Sequence, residues 1–199
     1  MIVTARSITF CVLMSLMLVA CGSSPPVRYY ALSATSTAAQ QDPDDAAILG
    51  LGPLRMPEYL NRSQIVTRGA SAEFQVDEFS RWAEPLSLSL HRVVSTNIDK
   101  LLDDVVVIAF PYDATIRTHV DYRLVGEVGR FDADRSGRVV LEVQWYIAEV
   151  DSEIAVAPHR SRYEIQATRS GDPAAAAEAM NKALLLFSQD IASALAAAM

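Results

Sequence analysis

Cysteine is almost absent. Of the two in 199 residues, Cys11 lies inside a leading apolar run and Cys21 directly follows it. The body of the chain therefore holds no thiol for a disulfide, a metal site or a nucleophile. Histidine is scarce too: His91, His119 and His159 stand far apart and match no metal-ligand spacing. Lysine is confined to Lys100 and Lys182. Almost all positive charge is thus on arginine, the residue suited to planar, bidentate pairing. The formal net charge is −7, which speaks against the basic footprint that nucleic acid needs. It speaks equally against docking of the whole chain to anionic lipid by charge alone. No G-x-x-x-x-G-K-[ST] loop, G-x-G-x-x-G turn or G-x-S-x-G elbow occurs, so neither a phosphate cradle nor a hydrolase nucleophile is expected. Carboxylates are plentiful but scattered. The expectation is a non-enzyme without metal, nucleotide or other cofactor.

What is present begins with a targeting pattern. Arg6 precedes an apolar run from Ile8 to Ala20, too short to cross a bilayer as a helix, which takes about 20 residues, but suited to a signal sequence. It ends in Leu18-Val19-Ala20-Cys21, which resembles the bacterial lipobox. That resemblance implies a signal peptide over 1–20 and a covalent lipid on Cys21. Residues 21–27, with Gly22-Ser23-Ser24-Pro25-Pro26, then form a flexible, extended tether. Residue 22 is Gly and not Asp, which by the same resemblance favours the outer membrane over the inner. An ordinary signal peptide with an incidental cysteine is the alternative.

The remaining residues, 28–199, suit one domain. Arg28 to Leu32 is the first predicted strand, and Ser33 to Asp45 a polar loop. Ile48 to Arg55 is a second strand whose Gly50, Gly52 and Pro53 imply a bulge or close backbone approach. Ile65–Thr67 and Phe74–Val76 flank a turn at Gly69–Glu73 and predict a hairpin. From Glu84 to Leu102 the apolar residues recur at helical spacing, leaving His91, Arg92, Ser95 and Asp99 off the stripe. Val105 to Phe110 reads as a buried strand. His119 to Phe131 and Val139 to Val150 alternate with period two around a turn at Asp132–Gly137. Ser161 to Thr168 supplies a further strand, and Gly126 to Gly129 marks a bulge. Asp172 and Pro173 predict the cap and first residue of a last helix, with Met180, Ala183, Leu184, Phe187, Ile191 and Leu195 inward. The fold class is α+β: a two-layer domain with a mainly antiparallel sheet of about seven strands, covered on one face by two long amphipathic helices.

Met56 to Leu90 is the most heavily marked stretch. Pro57 shapes a turn before Tyr59-Leu60, and Gln64-Ile65-Val66 is a short strand. Arg81, Trp82, Glu84, Pro85 and Leu86 lead into the helix. Trp82 reads as a core filler, Arg81 or Glu84 as paired with a neighbour, and Pro85 as a helix-start residue. Tyr59, Leu60, Arg62 and Arg68 admit two readings: structural, or recognition through an exposed strand edge.

The strings P-E-Y-L-N-R-S-Q-I-V-T-R and R-W-A-E-P-L resemble the ABC-transport auxiliary lipoproteins of the PqiC (YmbA-like) type. R-Y-Y-A-L near the start and V-D-Y-R-L-V-G-E-V-G-R-F-D further on extend the resemblance over nearly the whole chain. It implies a periplasmic subunit of an envelope transport system, held in the membrane by its lipid and partnered by an MCE-domain protein that conducts lipid. Self-assembly into a homo-oligomer is part of that expectation. A monomeric lipid carrier and a purely structural envelope lipoprotein are the alternatives. A carrier needs an apolar cavity of a few hundred Å³.

Overall fold

The computed structural model describes residues 24–35, 46–111, 119–150 and 154–199. The signal sequence, Cys21 and most of the predicted loop at Ser33–Asp45 lie outside the described residues. Eight strands form one sheet: β1 (Arg28–Tyr30), β2 (Ala47–Arg55), β3 (Gln64–Arg68), β4 (Phe74–Trp82), β5 (Val105–Ala109), β6 (Tyr122–Asp134), β7 (Arg138–Glu149) and β8 (Ile154–Gln166). Two helices, α1 (Leu86–Asp99) and α2 (Pro173–Ala196), pack on it and on each other. The class is α+β, as expected.

β6 is the axis of the sheet. One of its edges pairs antiparallel with β7 along its length, and β7 continues to β8. Its other edge is shared. The first half runs parallel to β2, with Leu49 beside Tyr122, and the last residues run parallel to β3, with Thr67 beside Ala133. β5 extends the sheet beyond β2, and β4 then β1 extend it beyond β3. The antiparallel ladders β6–β7 and β7–β8 are the longest, and β3–β4 is a third, shorter one. Four parallel pairings, none longer than β3–β4, make the sheet mixed.

Alternation builds the face beneath the helices. Val139, Leu141, Val143, Trp145 and Ile147 are all buried, as period two requires of a half-buried strand. They meet the stripe Met180, Ala183, Leu184, Phe187 and Ile191 of α2, itself fully buried. The Trp145 indole N–H donates to Ser161 Oγ at 3.0 Å, and Phe187 stands edge-on to the same ring. α2 starts as its sequence implies: Asp172 Oδ1 accepts from the Ala174 N–H at 2.9 Å, with Pro173 in the first turn. That N–H holds the Asp172 carboxyl below its usual range.

Several boundaries differ from expectation for local reasons. β4 runs on to Trp82, through what reads as a connection, because Asp77 Oδ1 accepts from the N–H groups of Phe79 and Ser80 across a register shift. β8 starts seven residues before the predicted Ser161 and passes through Pro158, which an outermost strand with a register shift at that point tolerates. α1 starts at Leu86 and ends at Asp99, and Pro85 is its cap residue.

His91, expected off the apolar stripe and facing water or a partner, is buried. The bulge in β2 between Leu51 and Leu54 takes the Leu54 N–H out of the ladder, and His91 Nε2 accepts it at 3.1 Å. Its Nδ1–H then donates to Ser87 O at 2.7 Å. Gly52 sits in that bulge at φ +114°, and a Cβ there would lie 2.8 Å from Phe110 Cβ and 3.1 Å from His91 Nε2. Only glycine fits this approach.

Candidate interaction site

Tyr59 and Arg68 meet on one carboxylate, that of Asp132. Phe131 and its β7 partner Leu141 belong to the core beneath the helices. Asp132, next along β6, therefore faces the other side of the sheet from Phe131, away from α1 and α2. Even so its side chain is fully buried. Oδ2 accepts from Arg68 Nη2 and from the Tyr59 hydroxyl, each at 2.7 Å. Oδ1 accepts from Arg68 Nε at 3.1 Å and from Arg130 Nε at 2.9 Å. Arg68 also donates to the Tyr59 oxygen at 3.1 Å.

Two rings roof this cluster. Tyr59 and Phe74 stack with centroids 4.5 Å apart, and the Arg68 guanidinium lies 4.6 Å from the Phe74 centroid. Cation–π attraction and bidentate pairing thus act on the same guanidinium. Burial, then the hydrogen bond to Asp132, pushes the Tyr59 hydroxyl well above its ordinary range, so it remains a donor. The hydrogen bond to Asp132 likewise raises Arg68. A short 3₁₀ turn at Glu58–Leu60 delivers Tyr59, with Pro57 extended before it and the Leu60 N–H donating to Pro57 O at 3.0 Å.

The four residues singled out for recognition thus divide. Tyr59 and Arg68 are joined, half-buried, in one cluster. Leu60 is a core residue, 4% exposed. Arg62 alone is fully at the surface. β3 is not an outermost strand, since it lies between β4 and β6, although its ladder with β6 covers Thr67 and Arg68 and not Gln64–Val66. Of the helix-entry residues, Trp82 and Leu86 are buried. Glu84 accepts from Ser89 Oγ at 2.8 Å and pairs with Arg92, which lowers its carboxyl below the usual range. Arg92 also reaches Leu32 O at 2.9 Å and so ties the segment after β1 to α1. Arg81 stands 4.0 Å from Glu78, and its Nε is buried without an acceptor among the described residues.

Asp132, Arg130 and Phe74 escape a reading by sequence. Asp132 looks like the first residue of a turn, but the strand continues to Asp134. The register shift after Val128 reverses the alternation, turning Phe131 inward and Asp132 outward. An apolar Phe131 out of phase beyond Gly129 was the available signal.

The fold and this cluster define a helix-on-sheet module whose marked residues hold a surface together. The match to the family of ABC-type transport auxiliary lipoprotein components covers residues 30–192, and the chain belongs to that family. The family is an auxiliary part of transport and no enzyme class. No curated protein matches the chain. Solved structures share its fold, two of them as follows. An uncharacterized protein superposes with a TM-score of 0.70 at 18% identity, covering 86% of this chain and 99% of that one. A Xanthomonas campestris protein of the DUF330 family gives 0.66 at 20% identity, covering 83% and 93%. No helix among the described residues is long and apolar enough to cross a membrane.

Proposed function

We infer that this chain is a lipid-anchored periplasmic subunit that docks or holds the conduit of an MCE-type lipid transport system at the outer membrane. Family membership and the Leu18-Val19-Ala20-Cys21 string support the anchor. One observation favours docking over carriage: the cleft between sheet and helices among the described residues is small. An apolar cleft between β3, β6 and the start of α2, lined by Ile65, Val66, Phe131, Ala176 and Met180, has a volume of only about 70 Å³. An enclosed lipid needs several hundred. A larger depression of about 280 Å³ lies over β7 and β8 among Glu142, Gln144, Arg160 and Arg162, whose charges do not suit an acyl chain.

In this reading the partner contacts the surface around Arg62 and the exposed rim of Arg68, and copies of the chain assemble there. The test is capture of the tagged full-length protein from membranes in mild detergent, with proteins and lipids identified by mass spectrometry. An MCE-domain protein is expected with the wild type and is lost with Arg62→Glu, whose exposed site leaves folding intact. Stoichiometric lipid on a monomer without protein partner would overturn docking in favour of a carrier.

A further inference from the structure

Seven large apolar side chains are exposed among the described residues, and three of them, Val27, Tyr29 and Phe79, share one corner of the sheet. β1 runs parallel to β4 with Arg28 beside Ser80, Tyr29 beside Arg81 and Tyr30 beside Trp82. Val27 and Phe79 stand one step earlier on their chains and head the same edge. Trp82 is buried beneath the helices, so its partner Tyr30 faces in, while Tyr29 and Arg81 face out. Tyr29 is 65% exposed, Val27 40% and Phe79 43%. The other four are dispersed over α1, the end of β5, α2 and the C-terminus, as single exposed apolar residues commonly are.

The charge at this corner differs from that of the chain as a whole. Arg28 is exposed, and among the described residues no carboxylate pairs with it. Arg81 has only Glu78 at 4.0 Å. An acidic protein thus sets two guanidinium groups beside a tyrosine, a phenylalanine and a valine. A membrane interface takes this combination: aromatic bodies at headgroup level, apolar tips below, and arginine on phosphate.

We propose that the β1–β4 corner lies in the phospholipid headgroup layer and fixes the orientation of the domain on its membrane. The proposal rests on the lipid-anchored reading above. Chain length supports it. Six residues separate Cys21 from Arg28, and fully extended they span roughly 20 Å at about 3.5 Å each. An acylated Cys21 therefore keeps β1 within roughly 20 Å of the acyl chains, a reach that includes the headgroup layer, which is about 5–8 Å thick. β1 is also the outermost strand on its side of the sheet. At three residues it is a poor template for another strand.

The test uses the full-length protein, processed in bacteria and reconstituted into phosphatidylethanolamine–phosphatidylglycerol vesicles. Val27→Cys, Phe79→Cys and Leu186→Cys are each labelled with a bimane fluorophore, and quenching by a headgroup-spin-labelled lipid is measured. Intact mass reports acylation of Cys21 in the same samples. Expected are an acylated Cys21 and several-fold stronger quenching at positions 27 and 79 than at 186. If Cys21 is acylated and the three positions quench alike, the corner proposal falls and the anchored reading stands. If Cys21 carries no acyl group, the anchored reading fails and takes the proposal with it. Shielded but unquenched labels on an oligomer by light scattering would assign the corner to a second copy and overturn the membrane contact.

Discussion

The two faces of the sheet are held by different physics. Beneath the helices, β7 and α2 meet through fully buried aliphatic and aromatic side chains, and non-directional burial sets their order. On the opposite face, Arg138 pairs with the less exposed Asp134, and Arg162 pairs with Glu142 and Glu164 where both partners are open to solvent. Exposed pairs of this kind contribute about 0–1 kcal/mol each. Asp132 belongs to that second face but behaves like the first. Tyr59, Phe74 and Arg68 cover it, and its carboxylate accepts from Tyr59, Arg68 and Arg130. A directional cluster there does what a third helix would otherwise do: it joins β3 to the end of β6, where the shared ladder is only two residues long.

Three substitutions sharpen or break this contrast. The largest effect is expected from Phe187→Ala on the helix-covered face, a loss of about 3–5 kcal/mol in urea unfolding. Asp132→Ala follows, at about 3 kcal/mol. It leaves two guanidinium groups beside an apolar roof, though Arg68 and Arg130 keep some access to water. A loss below about 1 kcal/mol would reduce Asp132 to the level of the exposed ion pairs and end the distinction drawn between them.

Tyr59→Phe is the smallest of the three. It deletes the hydrogen bond to the carboxylate and the one that Arg68 donates to the Tyr59 oxygen, while keeping the stack on Phe74, and about 1.5 kcal/mol is expected. Its pH dependence is more telling. The folded hydroxyl titrates above its unfolded value of about 10. Its contribution is therefore complete below pH 10 and is lost as the pH rises from there, because the unfolded chain ionises first. Wild-type stability should fall on that alkaline limb, and the phenylalanine variant should fall less steeply. Tyr163, also raised by burial and then by its bond to Asp190, keeps the slope from vanishing. Equal slopes would mean that Tyr59 is as solvated folded as unfolded.

The helix-covered face was legible in the sequence because burial imprints a period. Val139 to Ile147 alternate, Met180 to Leu195 recur at helical spacing, and Asp172-Pro173 announces the helix start. The directional cluster left no such imprint. Tyr59 and Arg68 stand out by residue type, but their shared partner lies 64 residues beyond Arg68. It was also hidden by a bulge that inverts the alternation. The hairpin β3–β4 was legible from its turn, whereas the parallel placement of β3 against β6 was not. Parallel contacts between distant segments carry no turn signal. His91 shows the same limit: its burial answers a backbone N–H freed on another strand.

The shared edge of β6 also dictates an order of events. β2 has no strand partner until Val105 exists, and its second partner comes only with Tyr122. The fragment β1–β4–β3 has none on its inner side until Ala133. Before Val105, β2 and the group β1–β4–β3 therefore share no ladder, and α1 is the element that touches both, through His91 on Leu54 and Arg92 on Leu32. Contacts so distant along the chain form slowly, since a long loop must close before they are gained. Any process that delivers the polypeptide from its N-terminus, synthesis or export, thus handles an open chain until Asp134 has arrived, and the sheet then closes from both sides of one strand.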